Sequence, residues 1–94
     1  MKVVINRCFG GFGLSDEAMQ LYAAKKGIKL EGFYDWEISR NDPVLVEVVE
    51  HLGEAANDWG TDLKVVEIPE GVDWYVEDYD GVEHIAERHR TWWS

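Results

Sequence analysis

The chain has 94 residues, room for one domain with one sheet and two or three helices. Nineteen acidic side chains against nine basic ones leave a net charge of −10, a balance that repels nucleic acid and anionic membranes and attracts basic surfaces. An apolar share of 46% with five tryptophans argues against disorder, and a single cysteine excludes an internal disulfide, so a reducing cytoplasm is the expected compartment.

Neither a signal-peptide core nor a membrane-spanning run is expected from the distribution of apolar residues. The charge is uneven. Residues 1–30 hold five basic and two acidic side chains, whereas residues 31–87 hold two basic and seventeen acidic ones. The last seven residues add Arg88 and Arg90.

Val3, Val4 and Ile5 are β-branched, as a short buried strand prefers. Gly10, Gly11 and Gly13 follow, interleaved with Phe9, Phe12 and Leu14, and predict a tight turn. Ser15 is placed to cap a helix whose first turn carries Asp16 and Glu17. Ala18, Met19, Tyr22 and Ala23 form its apolar stripe, and Lys25, Lys26 and Gly27 mark its end.

Residues 28–41 mix apolar and charged side chains without a clean period and read as a loop with one short strand. A second helix is predicted from Asp42 as N-cap and Pro43 at the first position, with Val44, Leu45, Val48, Val49 and Leu52 as its stripe and Gly53 as its stop. Its β-branched content leaves a buried strand as the rival reading. Residues 55–62 read as a loop.

Leu63–Ile68 and Val72–Glu77 read as two strands of an antiparallel hairpin around Pro69-Glu70-Gly71. In the second strand Tyr75 and Glu77 share one face, with Trp74, Val76 and Asp78 on the other. Tyr79-Asp80-Gly81 is a further turn. Val82, Ile85, Ala86 and His89 have the spacing of a final helix reaching about Thr91, and Trp92 and Trp93 are expected to pack back on the sheet. The expected fold is a single α+β domain over residues 1–94: a sheet of three to four strands, including the C-terminal hairpin, with three helices mainly on one face.

The glycine loop has the general strand–turn–helix geometry of an anion site, with Arg7, Gly10, Gly11, Gly13 and Ser15 as its candidate ligands. It matches neither established phosphate-loop spacing, and Asp16 and Glu17 already occupy the positive helix end. Cys8 has no histidine at a spacing that would make it a nucleophile, and buried thiols are more often small core groups. His84 and Glu87 are too few for a closed metal site. Neither a cofactor nor a metal is expected, nor a catalytic residue.

The acidic set remains. Glu31, Asp35, Glu37, Glu47, Glu50, Glu67, Glu70, Asp73, Glu77, Asp78, Asp80 and Glu83 are the candidate residues of a surface that meets a basic partner. Trp36, Trp59 and Trp74 lie among them, and exposed tryptophans would serve as anchors; for Trp74 a core position is expected.

The opening Lys2-Val3-Val4-Ile5-Asn6, with Cys8, Gly10-Gly11-Phe12 and Leu14-Ser15, resembles a family of small proteins encoded by tailed phages and prophages. Asp42-Pro43, Leu45-Val46, Lys64 to Pro69, Tyr79-Asp80-Gly81 and His89-Arg90 are similar as well. The resemblance implies a phage origin and expression in a bacterial cytoplasm. By analogy with other small acidic phage proteins, among them several anti-CRISPR proteins, it implies a non-enzymatic inhibitor whose acidic surface mimics DNA toward a host nucleic-acid-binding protein or CRISPR effector. No direct contact with nucleic acid or membrane is expected. The alternative is a protein that sequesters a small anionic nucleotide at the glycine loop, and a third reading is an oligomeric phage scaffold.

Overall fold

The computed structural model describes residues 1–9 and 11–87. The β-branched run lies at the centre of β1 (Lys2–Asn6), which is buried from Val3 onward. Its antiparallel partner is β2 (Leu63–Glu67), with Val3 opposite Val66 and Val4 opposite Val65. Pairing continues past both ends: Met1 and Ile68 exchange bonds of 3.0 and 2.8 Å, and the Arg7 amide donates to the Asp62 carbonyl at 2.8 Å.

The first helix, α1, spans Asp16–Lys26, with the Ser15 hydroxyl accepting the Ala18 amide at 3.1 Å. Gly27, at φ +70°, ends it in the left-handed conformation that a β-carbon disfavours. The second, α2, spans Pro43–Leu52. Asp42 caps it by accepting the Val44 amide at 2.8 Å, and its other oxygen accepts the Tyr22 hydroxyl of α1 at 2.7 Å. The second helix lies against β1 and β2, α1 packs on α2, and the core gathers Val4, Ala18, Tyr22, Leu45, Val48 and Leu63. Burial of this stripe stabilises a helix whose β-branched residues have poor intrinsic propensity.

The C-terminal third departs from expectation. Leu63–Glu67 does not form a hairpin with the segment after Pro69; it pairs with β1. That pairing gives the most buried of the described strands its partner. The hairpin instead joins β3 (Trp74–Tyr79) to β4 (Val82–Glu87), the segment expected to be a third helix. Asp80 and Gly81 explain the difference, because both have positive φ, +53° and +87°, as a two-residue type I′ turn requires. That turn returns the chain directly alongside β3, placing Val82 opposite Tyr79 and Ile85 opposite Val76. The helical spacing of Val82, Ile85 and Ala86 is thus overridden by turn geometry.

The described residues therefore form two antiparallel sheets of two strands each and two α-helices, an α+β fold without a sheet of three to four strands. No strand forms between residues 28 and 41; Asp35–Glu37 is a 3-10 turn, where the Glu37 carboxylate accepts the Tyr34 amide at 2.8 Å. A second 3-10 turn, Gly53–Ala56, opens the expected 55–62 loop. The expected end of the last helix, with Trp92 and Trp93, lies outside the described residues. Among the described residues no helix is long and apolar enough to cross a membrane.

Candidate acidic interaction surface

Polar contacts tie the hairpin to β1. In β1 the inward-pointing backbone bonds go to β2, so the amides of Val4 and Asn6 point away from it. Val4 donates to the Arg40 carbonyl and Asn6 to a Glu83 carboxylate oxygen, each at 2.8 Å. Arg40 holds the same carboxylate by both guanidinium nitrogens, at 2.7 Å through Nη2 and Oε2, and lies 3.7 Å above the centre of the Phe12 ring. The Asn6 side chain donates to the carbonyls of Cys8 and Gly81 and accepts from the amides of Cys8 and Asp62. One asparagine thus ties β1, the turn after it, β2 and the hairpin together.

Glu83 consequently leaves the expected surface. It is only 5% exposed, and its carboxylate serves as a cap on the edge of β1. The other acidic candidates are exposed, or half-buried in the case of Asp35.

Ion pairing divides these acids. Lys25 binds Glu47 at 2.7 Å, Lys26 binds Asp42 at 3.1 Å and Lys2 binds Glu50 at 2.9 Å. The bond from Lys25 holds the Glu47 carboxyl below its ordinary range, and the bond to Glu50 raises Lys2 above its own. The basic N-terminal segment therefore folds onto the acids of α2. Glu70 meets the N-terminal ammonium at 3.1 Å, Glu77 pairs with His84 at 2.9 Å, and Glu67 stands opposite Lys2 in the register. Asp73 is exposed in the approach to β3. Among the described residues Glu31, Asp35, Glu37, Asp78 and Asp80 meet no cation at ion-pair distance. Of the candidate acids, those without a cation lie along 31–37 and at the hairpin tip.

The glycine loop lies among carboxylates. A β-carbon on Gly13 would stand 3.6 Å from Oδ2 of both Asp35 and Asp58, and Asp35 accepts the Leu14 amide at 3.1 Å. Ser15 is fully engaged, accepting from Ala18 and donating to the Ala55 carbonyl at 2.7 Å. Gly11, at φ +85°, lies in the same turn, and Gly10 is outside the described residues. Arg7 is directed elsewhere: it lines a groove of about 330 Å³ between the sheets, with Ile5, Val66, Val82 and Ile85. Among the described residues, Arg7 lines that groove while Ser15 is bonded to Ala18 and Ala55.

The sequence places Asp58 in the extended acidic field without singling it out, and gives Arg40 no role. Arg40 stands 43 positions from Glu83, and no local pattern joins them. Trp36 and Trp59 are exposed, at 73% and 97%, while Trp74 is half-buried. No family model, curated protein or solved structure matches the chain.

Proposed function

We propose that the protein is a non-enzymatic inhibitor of phage origin, one that occupies the nucleic-acid-binding site of a basic host protein such as a CRISPR effector. The carboxylates of residues 31–37 and of the hairpin tip stand in for phosphates against lysine and arginine. One observation carries this reading: the lysines near the N-terminus pair with Asp42, Glu47 and Glu50, while among the described residues Glu31, Asp35, Glu37, Asp78 and Asp80 meet no cation. Uncompensated like charge opposes folding and favours a partner that supplies the missing cations.

The test is capture of partners from bacterial lysate on the immobilised protein at low and high salt, with double-stranded DNA as competitor. A charge-mimicking inhibitor releases its partner steeply as salt rises, and releases it to DNA. A partner that stays bound at high salt and ignores DNA would rule the proposal out.

A further inference from the structure

Several large aromatic side chains lie on the surface of a chain with ample core to bury them. Phe9, Tyr34, Trp36 and Trp59 are exposed, and they belong to three segments that the fold brings together around Gly13. The carbonyl of Phe9 stands 4.0 Å from where a β-carbon of Gly60 would lie, next to Trp59. Tyr34 and Trp36 are stacked, with ring centres 5.9 Å apart and planes 8° from parallel. A tryptophan in water forgoes the burial that favours large aromatic residues inside, and exposed apolar surface of this kind marks an interaction site.

The carboxylates set within this patch narrow the occupant. Asp35 sits between Tyr34 and Trp36 in the chain, and Asp58 immediately precedes Trp59. Both reach the same point beside Gly13, and among the described residues no lysine, arginine or histidine pairs with either. Flat π-faces beside carboxylates that meet no cation suit a group that is both planar and positive. A guanidinium meets both demands, stacking on the rings and offering a fork of N–H donors to the acids. An ammonium offers the charge without the plane.

We propose that this aromatic patch docks an arginine side chain of a basic peptide segment, the stack of Tyr34 on Trp36 and the indole of Trp59 supplying the faces and Asp35 and Asp58 the acceptors. The proposal rests on the acidic-surface reading and gives it a point of attachment distinct from the hairpin tip. It selects arginine over lysine.

Binding of nona-arginine and nona-lysine peptides, measured by calorimetry at 50 and 150 mM salt on the full chain, tests it. Nona-arginine is expected to bind roughly five- to tenfold more tightly than nona-lysine. Trp36→Ala and Trp59→Ala should each cost nona-arginine about three- to tenfold and leave nona-lysine nearly unchanged. Both side chains are exposed, so the variants should fold, which far-ultraviolet dichroism checks. Equal affinity for the two peptides, or arginine binding indifferent to both substitutions, overturns the docking site and leaves the acidic-surface reading standing. Failure of both peptides to bind at 50 mM salt overturns the two together.

Discussion

The half built from β1, β2, α1 and α2 removes Val3, Val4, Leu45 and Val48 entirely from water, whereas the only buried residue of the β3–β4 hairpin is a carboxylate, Glu83. Apolar burial therefore stabilises the first region, and a charged, hydrogen-bonded link attaches the second. A two-stranded hairpin alone is marginal in water, so its position depends on that link. The contrast bears on function. A region outside the apolar core can carry a dense array of acids without breaking that core up.

The sharpest way to break the contrast is to damage each region separately and ask whether the other responds. Leu45→Ala should cost about 3–5 kcal/mol, a cavity-forming loss in a fully buried site, and should lower the single unfolding transition of the whole chain. Glu83→Ala should cost about 3 kcal/mol, the low end for breaking a buried pair, because Arg40 keeps 22% of its side chain in solvent. The loss should appear as faster amide exchange in residues 74–87 with little change in α2. Uniform loss of protection across both regions would show that the hairpin and the core are one cooperative unit.

The first region was largely legible because its signals are local. Ser15, Gly27, Asp42 and Pro43 act within one helical turn of themselves; the first three occupy the expected cap positions and Pro43 the first helical position. The hairpin was less so. Asp80-Gly81 was readable as a turn, but the periodicity of Val82, Ile85 and Ala86 suits a helix equally well. Only the positive φ at both turn positions decides for a strand. The site was legible in composition and not in arrangement. Nothing local in residues 1–30 says that Lys2 and Lys25 reach Glu50 and Glu47, or that Asp35 and Asp58 meet beside Gly13. Those are contacts across 20 or more positions, set by packing.

Tyr22→Phe probes the hydrogen bond that joins the two helices of the apolar region and should cost about 1.5 kcal/mol, a bond to a charged acceptor. Burial by itself would raise the Asp42 carboxyl, but the Tyr22 hydroxyl, the Val44 amide and Lys26 outweigh it and hold the group below its ordinary 3.8. Its contribution is complete above that range and is lost as pH falls through the lowered value. Removing the hydroxyl lets the carboxyl rise, so acid unfolding should begin at a higher pH. At the alkaline end burial and the Asp42 bond push Tyr22 from 10.0 up to about 12, so the native chain loses stability as pH climbs between those values. The phenylalanine variant lacks that loss. Acid and alkaline titrations followed by dichroism read both signs.

The smallest expected effect sharpens the comparison most, because it touches only the hairpin. Gly81 sits at φ +87°, where a β-carbon strains the backbone, so Gly81→Ala should cost about 1 kcal/mol. Asp80 already pays such a cost at φ +53°, eased by its short polar side chain. Asp80→Gly should therefore relieve strain at the same turn while removing a charge from the tip. If the hairpin is a separately attached arm, the first variant loosens exchange in β3 and β4 and the second tightens it, with α1 and α2 unchanged in both. Exchange that moves in α2 with either substitution would mean that the turn strain is shared through Asn6, whose side chain donates to the Gly81 carbonyl at 2.9 Å. The arm would then be part of the core's own cooperative unit.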